Sequence, residues 1–207
     1  MPNKERFSDY NLIIEIMLNI VLFGAPGAGK GTQAIKLAEK FELIHLSTGD
    51  ILRKEIEACS ALGKQAQNFT DRGEFVPDEV VIGIIHSQMK RHSAARGFIF
   101  DGFPRTIAQA EALDKMLEDN NMKISAMIAL DVETDELVKR LQLRGKESGR
   151  ADDMSLDVIQ NRIDVYNRKT KPIIDYYSAQ NKYTAVCGTG DIDEIFGRLC
   201  THVEKYA

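Results

Sequence analysis

The chain has 207 residues, of which 43% are hydrophobic and 28% charged, so it suits one globular domain with a substantial core. Its formal net charge of -4 argues against bulk binding to nucleic acid, which favours a basic surface. The three cysteines, Cys59, Cys187 and Cys200, form no C-x-x-C pair, so neither a disulfide framework nor a structural zinc site is expected. We interpret them as small buried apolar residues of a protein in a reducing, cytoplasmic setting.

The first 16 residues form a segment without a recognisable motif. They carry charges but lack the pattern of a signal peptide. Their apolar run, Leu12 to Ile16, is interrupted by Glu15 and is too short to span a membrane. We therefore interpret residues 1–16 as an N-terminal extension and residues 17–207 as the core, and we expect no membrane partner. Met17 stands just before the first predicted strand.

The most informative stretch is VLFGAPGAGKGT, from Val21 to Thr32. It predicts a buried apolar strand, then a glycine-rich loop from Gly24 to Gly31, then an amphipathic helix. This order is typical of a phosphate-binding P-loop, because glycines let backbone N–H groups surround an anion and the helix N-terminus adds unpaired donors. Lys30 supplies a mobile charge for the β- and γ-phosphates, and Thr32 offers a hydroxyl to a phosphate or Mg²⁺. The general motif has Ser or Thr directly after the lysine, where this chain has Gly31.

A second stretch, GFIFDGFPR, runs from Gly97 to Arg105. It predicts a strand that ends in Asp101, followed by a turn. In a parallel α/β sheet the carboxyl ends of the strands face the ligand, so Asp101 stands where a carboxylate directed at Mg²⁺ is needed. Arg105 follows within reach of a phosphate. The alternative is an acid that caps the next helix and a solvated arginine.

A third stretch, from Arg140 to Asp153, is rich in arginine and ends in two adjacent acids. Arg140 and Arg144 are four residues apart and share one face of a predicted helix. We expect Gly145 to end this helix and Gly149 to allow a second turn. Such a loop is typical of a mobile flap that brings guanidinium groups over phosphates, although a solvated charged loop is the alternative.

The predicted elements alternate along the chain. Apolar runs predict five strands, near residues 20–23, 43–46, 97–101, 124–131 and 182–187, and helical patterns lie between them and after the last. A helix-rich excursion covers about residues 48–72. Alternation of this kind predicts an α/β fold, with a parallel sheet and helices on both faces.

Four motifs in this order and spacing resemble adenylate kinases: GAPGAGKGTQ, LSTGDILR, FDGFPRT followed by Gln109, and RGKESGRADD. The resemblance extends from about Leu18 to the C-terminus. It implies a P-loop, three-layer αβα fold around a central parallel five-stranded sheet, with a helical nucleoside monophosphate (NMP)-binding insertion at residues 47–76 and a lid at residues 143–153. The lid is short and lacks cysteines, like the short-lid form of the family rather than the long-lid form that can carry zinc. Met154 stands where the family often has Asn, which puts the local capping of the lid in question.

The resemblance also implies a reaction and the residues that perform it. A monomeric, cytoplasmic enzyme would transfer the terminal phosphoryl group of ATP to AMP reversibly, with Mg²⁺, and give two ADP. The ATP-binding residues would be Gly27, Ala28, Gly29, Lys30, Gly31, Thr32, Arg140, Arg144 and Gly190. The AMP-binding residues would be Thr48, Arg53, Glu74, Phe75, Val76, Gly102, Phe103, Pro104, Arg105, Gln109, Arg150 and Arg162. The catalytic residues would be Lys30, Arg105, Arg144, Arg150 and Arg162, with Asp152 and Asp153 to orient the lid arginines. Asp101 would hold Mg²⁺ through water.

Two other functions are compatible with parts of this pattern. UMP/CMP kinases resemble this chain, but usually have Ala where Thr48 stands, so Thr48 favours AMP. A non-catalytic nucleotide-binding module would be expected to lack some of the arginines that face phosphates, and all of them are present in this chain.

Overall fold

The computed structural model describes residues 17–207. The strands are β1 (Leu18–Gly24), β2 (Ile44–Ser47), β3 (Gly97–Asp101), β4 (Ala126–Asp131) and β5 (Tyr183–Cys187). The α-helices are α1 (Lys30–Phe41), α2 (Thr48–Glu57), α3 (Ala61–Thr70), α4 (Asp78–Arg91), α5 (Ile107–Glu118), α6 (Thr134–Ser148), α7 (Leu156–Val165), α8 (Ile173–Ser178) and α9 (Ile192–Val203). A 3₁₀ turn spans Ala151–Asp153, and a π-helical turn spans Tyr166–Thr170. The expected N-terminal extension lies outside the described residues.

The five strands form one sheet in the order β2-β3-β1-β4-β5, and every neighbouring pair is parallel. This confirms the predicted α/β fold. β1, β3 and β4 are inner strands and read as apolar runs because both of their faces are covered. Since all strands run the same way, their carboxyl ends share one edge of the sheet. Asp101 there pairs in register with Leu22 of β1 and Ser47 of β2.

Side chains of β1 alternate between two apolar layers, one on each face of the sheet. Val21 and Phe23 belong to one cluster, together with residues of α4, α5 and α8. Ile20 and Leu22 belong to the other, together with residues of α1 and α9. The sheet is therefore the middle layer of three, as predicted, and it fixes the loops at its carboxyl edge.

The segment between β2 and α4 contains the helices α2 and α3. Ser47 caps α2 by accepting a hydrogen bond from the Asp50 backbone N–H. The two helices pack closely at Gly63, where an added Cβ would lie 2.0 Å from the carbonyl oxygen of Glu55. A glycine is required at this point because any side chain would force the helices apart.

The prediction that Gly145 ends the sixth helix is wrong. Helix α6 continues to Ser148 and ends at Gly149, which has the left-handed φ of 65° typical of a helix C-cap. Gly145 serves a different purpose: a Cβ on it would lie 2.5 Å from the carbonyl oxygen of Asp153, so the lid loop packs directly on the helix backbone. The first helix also starts earlier than predicted, at Lys30, after Gly29 with a φ of 92°.

The prediction that the cysteines are buried is wrong for two of the three. Cys59 is exposed in the turn after α2, where its φ is 50°. Cys187 is exposed because it is the last residue of β5, a strand at the edge of the sheet. Only Cys200 is buried, and all three thiols are free. Among the described helices, none is both long and apolar enough to cross a membrane.

Candidate active site

A cavity of about 660 Å³ opens at the carboxyl edge of the sheet. Its walls come from the P-loop, α2, the segment before α4, the turn after β3 and the loop after α6. Four separate sequence motifs therefore meet around one space, as expected where parallel strands end. Of the residues expected at the site, those that line it are Gly27, Gly29, Lys30, Gly31, Thr32, Thr48, Arg53, Glu74, Phe75, Val76, Asp101, Gly102, Phe103, Pro104, Arg105, Gln109, Arg144, Arg150, Asp152 and Arg162.

The P-loop wraps closely around the start of α1. A Cβ on Gly27 would lie 2.9 Å from the carbonyl oxygen of Leu137, and its φ of 86° also favours glycine. The ammonium of Lys30 donates to the carbonyl oxygens of Gly24, at 2.8 Å, and Ala25, at 3.0 Å. Burial lowers the pKa of this ammonium to about 8; Asp101 opposes the shift, and the nearby guanidinium groups add to it.

Asp101 faces the same space from the end of β3. Its Oδ2 lies 3.4 Å from Nε2 of His45, on the neighbouring strand β2. Burial opposes ionisation of the Asp101 carboxyl, but the hydrogen bond from His45 and the charge of Lys30 outweigh it and hold its pKa below the usual range. A Cβ on Gly31 would lie 3.6 Å from Asp101 Oδ2, so the carboxylate sits beside the first turn of α1. The sequence signal for His45 was weak, since only the strand pairing brings it to Asp101.

The turn after β3 holds Arg105 against the cavity wall. Arg105 Nε donates to the carbonyl oxygen of Gly102 at 2.7 Å, and the hydroxyl of Thr48 donates to the same oxygen at 2.8 Å. The Arg105 guanidinium lies 5.2 Å from the ring centroid of Phe75, a cation–π distance. Burial and the charge of Arg162 lower the pKa of Arg105 to about 10, so it remains cationic at neutral pH.

Gln109 closes the wall behind this turn. The residue is 1% exposed, and its amide accepts from the Arg105 backbone N–H and donates to Asp78, both at 2.7 Å. Asp78 also accepts from the hydroxyl of Thr106 at 2.7 Å. In the sequence, Asp78 has only the signature of an acid in the first turn of a helix, so its contact with Gln109 could not be predicted. Arg53 pairs with Asp50 at the other side of the cavity.

The two acids of the loop after α6 hold three arginines: Arg144 of α6, Arg150 of the loop and Arg162 of α7. The carboxylate of Asp153 has no exposed surface, and it pairs with Arg144 at 2.6 Å and also with Arg162. Asp152 pairs with Arg150 and Arg162, both at 3.0 Å. Burial lowers the pKa of Arg162 despite these acids. The acid pair therefore fixes guanidinium groups that would otherwise repel one another.

A second groove adjoins the first on the far side of the P-loop. It is lined by Arg140, Gly190 and Ala28, and it shares Gly29 and Thr32 with the main cavity. Arg140 is held by Glu136, at 2.8 Å, and by the carbonyl oxygen of Gly188, at 3.1 Å. The two spaces therefore lie on either side of Gly29 and Thr32, one toward the arginine cluster and the other toward the loop before α9.

Comparisons with known proteins show which family this chain resembles. The family model for adenylate kinase matches residues 22–182. The adenylate kinase of Flavobacterium johnsoniae is 52% identical over 189 residues, which cover 91% of this chain and 100% of that protein. The adenylate kinase of Phocaeicola vulgatus is 50% identical over the same length and coverage.

A more distant relative is also an adenylate kinase. The adenylate kinase of Thermodesulfovibrio yellowstonii is 43% identical over 214 aligned positions, which cover 91% of this chain and all of that protein. The family model spans the P-loop, the arginine cluster and the segments between them, and half of the residues match in relatives that align along nearly the whole chain. This chain therefore belongs to the adenylate kinase family.

Proposed function

We propose that this chain transfers the terminal phosphoryl group of ATP to AMP, reversibly, and gives two ADP. The observation that carries the proposal is the convergence of Lys30, Asp101 and five arginines on one cavity. Phosphoryl transfer needs two nucleotides held in line and their negative charge neutralised as it spreads, and this cavity offers cations for both tasks.

We assign ATP to the P-loop and the adjoining groove. The backbone N–H groups from Gly27 to Thr32 would bind its phosphates, helped by the N-terminus of α1. Lys30 would exchange its two carbonyl partners for phosphate oxygens. Arg140 and the carbonyl of Gly190 would face adenine in the second groove, and Arg144 would reach the phosphates from the lid.

The residues around Asp101 suit Mg²⁺ held largely by water and phosphate. No group of three or more His, Cys, Asp or Glu side chains within residues 17–207 is placed to hold a metal by itself. Mg²⁺ characteristically uses one or two carboxylates, several waters and substrate phosphates, and the ionised Asp101 beside α1 fits that preference. When bound, Mg²⁺ would neutralise charge on the phosphates.

We assign AMP to the space between the NMP-binding insertion, residues 47–76, and the turn after β3. Arg53 would bind the AMP phosphate. Thr48, Gln109 and the segment from Glu74 to Val76 would surround adenine and ribose. Gly102, Phe103 and Pro104 would complete the wall, with Arg105 directed at the AMP phosphate.

The reaction needs no general base, because the nucleophile is an oxygen of the AMP phosphate itself. The bond from the γ-phosphorus to the β–γ bridging oxygen breaks, and a bond from the same phosphorus to the AMP oxygen forms. Lys30, Arg105, Arg144, Arg150 and Arg162 would stabilise the charge on the transferring group. Closure of the lid, residues 143–153, is an established motion of this family and would exclude water from the transfer.

Steady-state kinetics with ATP and each of AMP, UMP, CMP and GMP test this proposal. We expect the highest kcat/KM with AMP, because Thr48 and Gln109 offer polar groups to a base. A higher kcat/KM with UMP or CMP would contradict the proposal and favour a pyrimidine nucleotide kinase. We also propose that the enzyme acts as a cytoplasmic monomer, which light scattering at the assay concentration would check for the purified chain.

A further inference from the structure

The side-chain amide of Gln109 is held from two sides by groups that cannot exchange roles. Its oxygen accepts from the backbone N–H of Arg105 at 2.7 Å, and a backbone N–H can only donate. Its nitrogen donates to Oδ1 of Asp78, also at 2.7 Å, and a carboxylate can only accept. The other oxygen of Asp78 accepts from the hydroxyl of Thr106, so the carboxylate is itself held in position.

A flipped amide would therefore place one donor against a donor and one acceptor against an acceptor. Its nitrogen would face the N–H of Arg105, and its oxygen would face the oxygen of Asp78. Gln109 is 1% exposed, so no bulk water is available to rescue either group. Leaving buried polar groups without partners is costly, and one amide orientation is strongly preferred for this reason.

This orientation matters because Gln109 also lines the cavity. A primary amide has two N–H donors and two acceptor lone pairs, and the contacts above use one of each. One donor and one acceptor remain, which is the pair that glutamine presents to adenine when it binds bidentately. In that arrangement the 6-amino group of adenine would donate to the Gln109 oxygen. A 6-oxo purine presents an acceptor at that place, so only a flipped amide would suit it.

We propose that Asp78 is a positioning residue that locks the Gln109 amide and so selects a 6-aminopurine over a 6-oxopurine at the acceptor site. This inference rests on the proposed assignment of AMP to this cavity. Asp78 does not touch the nucleotide. It acts on selectivity through the direction of one amide, and its contribution should therefore appear in the choice of base.

The test compares AMP with IMP, which differ at the base in the 6-substituent and the proton on N1. The ratio of kcat/KM for AMP to that for IMP is measured for the wild-type chain and for Asp78→Asn. In a flipped Gln109 amide the oxygen faces residue 78, and asparagine can donate a hydrogen bond to it. The variant therefore removes one of the two contacts that disfavour the flipped orientation. We expect the AMP to IMP ratio to fall roughly tenfold in this variant, with KM for ATP little changed.

Glu79→Gln provides the matched control. Glu79 is the next residue of the same helix turn, its side chain is exposed, and the substitution removes the same charge. We expect the AMP to IMP ratio of this variant to equal that of wild type. This result would separate the contact of Asp78 with Gln109 from a general effect of charge at the start of α4. If Asp78→Asn fails to fold, Asp78→Ser replaces it, because its hydroxyl can also donate to Gln109 and serine is tolerated at helix starts.

Gln109→Met, of similar shape but without hydrogen-bonding groups, should also lose the discrimination between AMP and IMP. A folded Asp78 variant whose ratio stays within twofold of wild type would overturn the inference, as would a Gln109→Met variant that keeps the ratio. Failure of the proposed function looks different: the wild-type chain itself would then phosphorylate AMP poorly.

Discussion

At the scale of single residues, positive charge is concentrated in one part of the site, around Lys30 and the loop after α6. Three acids, Asp101, Asp152 and Asp153, lie among five cations there: Lys30, Arg105, Arg144, Arg150 and Arg162. The rest of the cavity wall carries Arg53 and the acids Asp50, Glu57, Asp71 and Glu74. Cations that lie this close together repel one another. Burial and this repulsion both lower the pKa of Lys30 and of Arg105. Bound phosphates would relieve this repulsion, so part of the affinity for nucleotides is built into the empty site.

Lys30 gives this argument a measurable pH dependence. Its pKa of about 8 in the free protein means that the ammonium loses its proton above that pH, whereas phosphate binding needs the charged form. We expect kcat/KM for ATP to be level near pH 7 and to fall above pH 8, approaching roughly tenfold per pH unit. Initial rates at subsaturating ATP between about pH 7 and pH 9.5 measure this.

A Lys30→Arg variant is the control for that profile. Its guanidinium keeps its charge throughout this range, so the alkaline fall should disappear even if the overall rate is lower. A level wild-type profile up to pH 9.5, or the same fall in both proteins, would show that Lys30 does not titrate there. Arg105, with a pKa of about 10, begins to titrate only at the upper end of this range.

At the scale of elements, α6 and the lid loop form one unit through Gly145. The loop backbone at Asp153 packs so closely on α6 that a Cβ at residue 145 would lie 2.5 Å from a carbonyl oxygen. Asp153 in turn holds Arg144 and Arg162. Asp153 therefore ties the loop to Arg144 of α6 and to Arg162 of α7.

Replacing Gly145 with alanine should destabilise the protein. The steric cost of forcing a methyl group into a packed contact is about 1–3 kcal/mol, which exceeds the helix-propensity gain of about 1 kcal/mol. Gly83→Ala in α4 is the matched control, since a Cβ there meets nothing within 4 Å and the residue is exposed. In urea unfolding, we expect the free energy of unfolding to fall for Gly145→Ala and to rise for Gly83→Ala. A Gly145→Ala variant as stable as wild type would show that the loop moves to accommodate the methyl group at little cost.

Gly145 is also an example of a feature that neighbouring residues in the sequence do not encode. Pattern and spacing were enough for the five strands, the P-loop and the order of the motifs, because these are encoded by neighbouring residues. Gly145 has the spacing of a helix end, and only its contact with Asp153, across a turn, explains why it lies inside α6. The pairings of His45 with Asp101 and of Asp78 with Gln109 likewise join separate elements and have no local signature.

At the scale of the whole molecule, the strand order explains how distant motifs meet. β1 lies between β3 and β4, so the P-loop after β1 stands beside Asp101 at the end of β3. Among the described residues, those that line the main cavity fall between Leu22 and Thr170, and the second groove adds residues up to Ile195. The side chains that we assign to nucleotides all come from these two sets.

A chain that starts at Met17 should therefore keep kcat and both KM values within about twofold of the full chain. Truncation beyond Met17 should be tolerated less well, because residues 18 and 19 are buried parts of β1. Leu18 is 6% exposed, and the fully buried Asn19 accepts from the Phe98 backbone N–H at 3.2 Å and donates to the Lys123 carbonyl at 3.0 Å. These bonds tie β1 to β3 and to the segment before β4.

A second truncation that starts at Ile20 completes the comparison. It removes Asn19 and leaves the buried Phe98 N–H and Lys123 carbonyl without these partners, and each such loss costs about 1–3 kcal/mol. We expect this chain to melt at a clearly lower temperature, whereas the chain from Met17 melts near the full-length value. A soluble, folded chain from Met17 with a large loss of kcat would show that residues 1–16 take part in catalysis, and the core would then extend beyond its proposed boundary.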